Sequence, residues 1–129
     1  MIIPSPLITL DYNPAKDVLI VEWPDIQEFS ITEVKHSLQD IINTVKFYDV
    51  KNLLVDSRKA VIGVSKEEYT TIASGFIKEL SGTRIQKVAR LESNNKVKEA
   101  QVKEISPLIT AIAFQNFSDF NEALRWLDS

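Results

Sequence analysis

The residues with the greatest chemical potential follow a short apolar run near the middle of the chain. In "NLLVDSRK", Asp56, Ser57 and Arg58 place a carboxylate, a hydroxyl and a guanidinium directly after that run. If the run is a strand of a parallel sheet, these groups stand at its carboxyl end, where α/β proteins bind ligands. Ser65 could join them at the start of the next helix, so the four residues form a candidate edge for a partner or a ligand. The sequence favours a structural interpretation over this one, in which Asp56 and Ser57 only cap the connector and satisfy local backbone groups.

The chain lacks a complete set of residues for catalysis. It has no cysteine, which excludes a thiolate nucleophile, and it has a single histidine. That histidine, His36, lies on the polar face of a predicted helix, far in sequence from a serine and a carboxylate that could complete a triad. We therefore predict that His36 is a surface residue, that no residue is catalytic, and that the protein is not an enzyme.

Acidic residues after the second predicted strand raise the question of a metal site. Glu22 and Asp25 could lie beside Asp56, which would be similar to the acidic magnesium pocket of response-regulator receivers. That chemistry needs a lysine at the end of the last strand, where this chain reads "FQN". The sequence instead favours solvated loop carboxylates, and we expect neither a metal nor a cofactor.

Composition is typical of an ordinary globular domain. The chain has 129 residues, of which 44% are hydrophobic and 26% charged, and this predicts a single domain with its own core. The net charge of -3 predicts no nucleic-acid partner. Between Lys78 and Lys103, basic residues are interleaved with glutamates, which predicts solvated surfaces. Pro4 and Pro6 interrupt an N-terminus without a basic region, so we expect a cytoplasmic protein without a membrane span.

Two capping boxes give the clearest signals of secondary structure. Ser30 with Glu33, and Ser65 with Glu68, each precede apolar residues at helical spacing and predict the starts of two helices.

Other residues refine these two helices. Hydrophobic staples are predicted from Phe29 to Val34 and from Val64 to Tyr69. Gly75 lies in the middle of the second helix, where it lowers helix propensity, and we predict that close packing against a neighbour explains it.

Alternation, turn residues and helix breakers predict the remaining elements. The predicted strands are Pro6–Tyr12, Lys16–Trp23, Lys51–Ser57, Thr83–Leu91 and Leu108–Phe114. The predicted helices are one from the Ser30 cap to about Tyr48, one from Ser65 to Gly82, one over Asn95–Ile105 that Pro107 stops, and one capped by Ser118. The order β-β-α-β-α-β-α-β-α predicts an α/β domain with a five-stranded mixed sheet and right-handed crossovers.

Two segments carry a resemblance to a known family. "LLVDS" at the end of the third strand and "FQNFSDFNEALRWL" at the C-terminus resemble the SpoIIAA-like family, which has the STAS-type fold of anti-sigma-factor antagonists. In those antagonists the third strand enters an Asp-Ser-Ser-Gly motif whose second serine is phosphorylated by a partner kinase. Here Asp56 and Ser57 match the first two positions, whereas Arg58 and Lys59 replace the other two. The resemblance therefore implies the scaffold without the phosphoacceptor.

Two hypotheses for function follow from this resemblance. The first is a non-catalytic regulatory or protein-interaction module, which presents the edge from Asp56 to Arg58 and the second helix to a protein partner. The alternative is a carrier of a small apolar, lipid-like ligand, because the SpoIIAA-like fold is also similar to the lipid-binding CRAL-TRIO domain. That ligand would lie between the sheet and the helices, lined by Phe76, Phe114 and Phe117.

Apolar strands also suggest self-association. "VLIV", "LLV" and "AIAF" are apolar on both strand faces, whereas same-sense crossovers place their helices on one side of a sheet. The first hairpin or a second chain would then cover the other side, and we predict a homodimer. Trp23 and Trp126 are interpreted either as packing at the rim of the core or as anchors at a subunit contact.

Overall fold

The elements of the sheet and its helices follow the predicted order, except for one additional strand at the start. A computed structural model of the chain describes residues 1–25, 30–60 and 65–129. Its strands are β1 (Ile2–Ile3), β2 (Thr9–Asn13), β3 (Val18–Glu22), β4 (Asn52–Asp56), β5 (Lys87–Leu91) and β6 (Ala113–Phe117). Its helices are α1 (Ile31–Tyr48), α2 (Lys66–Ser81), α3 (Lys96–Ile105) and α4 (Phe120–Asp128), with a 3₁₀ turn over Ser106–Leu108.

The described residues form one mixed sheet of six strands in the order of the chain, not the predicted five. The first three strands pair antiparallel, and β3 to β6 pair parallel. The additional strand is β1, where Ile2 pairs with Asp11 and Ile3 with Leu10. A two-residue strand is too short to show alternation, and only its pairing with β2 defines it.

The helix starts confirm the capping signals. The Ser30 hydroxyl accepts the Glu33 amide at 3.1 Å, and the Ser65 hydroxyl accepts the Glu68 amide at 3.2 Å. Both boxes are closed by the return hydrogen bond to the glutamate. The prediction for the last helix was wrong by one residue, because Asp119 and not Ser118 caps α4.

Three further details of the predicted helices can be compared with the structure. The stapling residues Phe29 and Val64 lie outside the described residues. Among the parts of the chain that the structure describes, no neighbouring element packs closely against Gly75, since a Cβ added there would meet nothing within 4 Å. The predicted reason for this glycine is therefore wrong.

The last strand lies several residues later than predicted. A 3₁₀ turn over Ser106–Leu108 contains Pro107 and includes the predicted start of the strand, and β6 starts only at Ala113, opposite Lys87 of β5. Because register with β5 sets this boundary, the apolar run that starts at Leu108 was a misleading signal.

Helices cover both faces of the sheet. The crossover helices α1, α2 and α3 share one face, with a core that includes Leu19, Leu53 and Val88. On the opposite face, Leu54 and Ala89 form a second core with Ala123 and other residues of α4. The expectation of a face without helices was wrong, because α4 follows the last strand and folds back without being a crossover. The homodimer stays a prediction, but an uncovered face of the sheet no longer supports it.

The two tryptophans have different environments. Trp126 is half-buried and packs against Phe117, with ring centroids 5.5 Å apart, which agrees with rim packing. Trp23 is only 5% exposed and belongs to the core under α1, so neither predicted role describes it. Within the described ranges, no helix is long and apolar enough to cross a membrane.

Candidate functional site

A cavity of about 180 Å³ separates the sheet from its three crossover helices. Val55 and Val88 of the central strands form its floor, Ile41 of α1 forms one side, and Ile72 and Phe76 of α2 form the roof. Residues of α3 and of the segment that follows it complete a mostly apolar wall.

The apolar stripe of α2 is less buried than that of its neighbour. Ile72, Ala73, Phe76 and Ile77 all line the cavity and are only half-buried, and Leu80 is the only fully buried residue of the helix. In α1, by contrast, six residues are buried. The apolar stripe of α2 points inward, as predicted. Part of the stripe faces the cavity instead of packing against other side chains.

The predicted aromatic lining is correct for two of its three members. Phe76 and Phe114 line the cavity. Phe117 does not, because it packs with α4 on the opposite face of the sheet. Phe114 and Phe117 are three residues apart in β6, and side chains at an odd spacing in a strand point to opposite faces.

One end of the cavity carries a buried ion pair. The Arg90 guanidinium donates to both carboxylate oxygens of Glu99, at 2.6 and 2.9 Å, and also to the Asn116 side chain at 3.1 Å. The Ser93 hydroxyl donates to Glu99 at 2.6 Å. The Arg90 side chain is 9% exposed and that of Glu99 is 18% exposed. Burial raises the pKa of Glu99, but hydrogen bonds from Arg90 and Ser93 outweigh burial and lower this pKa to about 2.

Lys98 is the other charged residue of the wall. Its ammonium donates to the carbonyl oxygen of Ser57, and to that of Ala60 at 2.9 Å. Burial, and then the positive charge of Arg90, lower the pKa of Lys98 to about 8. Lys98 therefore connects α3 to the segment after β4, while its side chain borders the cavity.

The predicted solvated surface in this region was wrong for Arg90 and Lys98. Alternating signs of charge along the sequence do not distinguish an exposed face from an ion pair buried between elements. One signal was present, because Arg90 interrupts the otherwise apolar run "VARL" of a strand. A charged residue within such a run indicates a buried, paired group.

The structure places the four predicted site residues in different roles. Asp56 accepts two hydrogen bonds from the Arg58 guanidinium, each at 2.9 Å, and the Arg58 amide at 3.2 Å. Burial raises the pKa of Asp56, but the bonds from Arg58 outweigh it and lower this pKa. Ser57 lines the cavity and supplies a carbonyl to Lys98. Ser65 caps α2, and its hydrogen bonds to other described residues are those of the cap and the helix.

The remaining candidate residues lie at the surface. His36 is exposed, as predicted, and so are Glu22 and Asp25. Within residues 1–25, 30–60 and 65–129, no three His, Cys, Asp or Glu side chains come together in a group that could hold a metal ion.

Comparison with known proteins identifies the fold. No family model matches the sequence, and no curated protein matches it significantly. The chain is similar in structure to an uncharacterized protein from the DUF3478 family of Shewanella loihica PV-4, which has a SpoIIAA-like fold. The two share 16% of their residues at a TM-score of 0.61, and the similarity covers 97% of this chain and 98% of that one. The predicted SpoIIAA-like fold is thereby confirmed.

Proposed function

We propose that this protein is a non-catalytic binding protein for a small, predominantly apolar molecule, which it holds between the sheet and the crossover helices. The observation that carries the proposal is the cavity of about 180 Å³ in a core otherwise packed with aliphatic side chains. Protein interiors are normally close-packed, and a void of this size forfeits many contacts. A ligand that fills it would restore them.

The volume limits the ligand. An apolar cavity of about 150 Å³ stays dry and binds benzene, so this one suits a molecule of about that size or somewhat larger. Burying about 200 Å² of apolar ligand surface is worth about 5 kcal/mol, which corresponds to a dissociation constant of about 0.2 mM. Binding tests should therefore extend to millimolar ligand.

Filling the cavity with a side chain gives a direct test. Ala73 lines the cavity from α2, and in Ala73→Phe the ring would occupy the space proposed for the ligand. We expect benzene and indole to shift amide resonances of cavity residues in the wild-type protein, and their affinity to fall at least tenfold in this variant.

The matched control places the same change on an exposed helical position. Ala100 lies on the solvent side of α3, so Ala100→Phe should leave affinity unchanged. The proposal fails if neither compound binds the wild-type protein at millimolar concentration, or if both variants bind as well as the wild-type protein does.

A regulatory module of STAS type is the second candidate. It is supported by the SpoIIAA-like fold and by the position of Arg58, whose side chain is 42% exposed where β4 ends. A protein partner that reads this edge should lose affinity when Arg58→Glu reverses its charge, and should tolerate Lys16→Glu in the exposed hairpin turn. Affinity capture from the native cell, followed by quantitative comparison of the two variants, decides this. Equal capture by both variants would contradict the role of the edge.

A further inference from the structure

The cavity wall contains a cation that no described carboxylate neutralises. Arg90 is matched by Glu99 in a two-point ion pair, and Asp56 is matched by Arg58. No ion pair of the described residues includes Lys98. Lys98 borders the cavity, so the charged part of the wall has a net charge of +1 beside an otherwise apolar space.

The partners of Lys98 solvate its charge without cancelling it. Both are backbone carbonyl oxygens, of Ser57 and Ala60. An ammonium group has three hydrogens to donate, and the described residues accept two of them. A half-buried cation whose hydrogen-bond partners are both neutral retains a preference for an anion.

We propose that the ligand of this cavity is a small apolar monocarboxylate, whose carboxylate pairs with Lys98 and whose hydrocarbon part lies against Ile72, Phe76 and Val88. This inference rests on the proposed function and names the chemical class of its ligand. A neutral hydrocarbon would fill the cavity but leave Lys98 without an anion, and a cation would be repelled. A phosphate ester is less suitable, because the planar fork of Arg90 that would recognise it is already occupied by Glu99.

The protonation of Lys98 gives this pairing a pH dependence. The charges of Arg90 on β5, Glu99 on its own helix and Asp56 on β4 act on it. Tyr69 of α2 lines the same cavity. Because the pKa of Lys98 is about 8, the ammonium predominates at pH 7. A bound carboxylate raises this pKa further, so its affinity is fully present below pH 8 and falls as the pH rises above it.

A pair of ligands with the same chain length separates the inference from the proposed function. Octanoate and 1-octanol are the probes, and isothermal titration with the full chain is the measurement. We expect octanoate to bind the wild-type protein at least tenfold more tightly than 1-octanol at pH 7, and to lose this advantage by pH 9.5. Affinity for 1-octanol should not change with pH over this range.

Neutral replacement of the lysine completes the test. Lys98→Met should weaken octanoate at least tenfold and leave 1-octanol unchanged, whereas Lys103→Met, at an exposed position of the same helix, should change neither. If 1-octanol binds but octanoate shows no preference, the inference is wrong and the proposed function stands. If neither ligand binds, the inference is wrong, and the binding of the aromatic probes decides the proposed function separately. Should Lys98→Met fail to fold, the wild-type comparison between pH 7 and 9.5 still decides.

Discussion

The two faces of the sheet differ in how completely they are packed. On the α4 face, Leu54, Ala89, Leu91 and Ala123 have no exposed surface, and the helix lies directly on the strands. On the crossover face, α2 has one fully buried residue and its apolar stripe borders a cavity. One face is therefore packed as an ordinary core, while the other contains a cavity. The comparison places the unfilled space beside α2, where we propose that the ligand binds.

The largest effect is expected at the ion pair beside the cavity. Glu99→Ala leaves the buried Arg90 guanidinium without its carboxylate, and we expect the free energy of unfolding to fall by about 3–5 kcal/mol. Urea denaturation followed by circular dichroism measures it. Glu104→Ala is the control, because its exposed ion pair with Lys66 should be worth no more than about 1 kcal/mol. Equal losses in both variants would show that Arg90 is adequately solvated without Glu99.

The same ion pair predicts a sensitivity to acid. The pKa of Glu99 is lowered from 4.5 to about 2 in the folded protein, so its contribution to stability is present above pH 4.5 and is lost as the pH falls from 4.5 towards 2. The stability of wild-type protein should therefore approach that of the Glu99→Gln variant over this interval. A difference that stays constant between pH 5 and pH 2.5 would contradict the assignment.

Truncating one aliphatic side chain on each face tests the comparison itself. Leu54→Ala opens a hole in a closed core, and we expect a loss of about 2–5 kcal/mol. Ile72→Ala removes a half-buried side chain that already borders a cavity, and we expect a loss of about 1 kcal/mol. Thermal unfolding of the two variants measures both losses of stability and therefore their ratio. If Ile72→Ala costs as much as Leu54→Ala, the two faces are packed alike.

Removing a buried hydroxyl on α1 is expected to increase the stability of the protein, in contrast to the substitutions above. Ser37 is 1% exposed, and its Oγ has no hydrogen-bond partner among the described residues. We expect Ser37→Ala to stabilise the protein by about 1 kcal/mol, because an unsatisfied buried group is removed. Thr44 is buried on the same helix, but its Oγ1 donates to the Asp40 carbonyl at 2.7 Å, so Thr44→Val should be destabilising by about 1 kcal/mol. Chemical denaturation that shows the same sign for both would contradict this.

The smallest effect is expected at the glycine of α2. Gly75→Ala adds a methyl group that meets nothing within 4 Å and improves helix propensity, so a gain of up to about 1 kcal/mol is expected. Calorimetry measures the shift in Tm. Affinity for octanoate should not change, because Gly75 is not among the residues that line the cavity. A loss of stability would show that α2 approaches its neighbours more closely in solution.

Much of the architecture could be predicted from local signals. The capping boxes at Ser30 and Ser65 fix two helix starts, because a serine and a glutamate three residues apart satisfy free amides of the first turn without help from other elements. The start of β6 could not be predicted in this way, since hydrogen bonds to β5 set it. The return of α4 to the second face is likewise a property of the assembled sheet.

The candidate site also has some features that could be predicted from the sequence and others that could not. The sequence by itself determined which residues are apolar enough to line a cavity, and it identified Phe76 and Phe114. Only the tertiary structure decided that Lys98 stands at that cavity with carbonyl partners while Arg90, eight residues earlier, is matched by Glu99. The physical reason is that periodicity and capping act over a few residues, whereas the pairing of a charge depends on which strand and helix are brought together across the core.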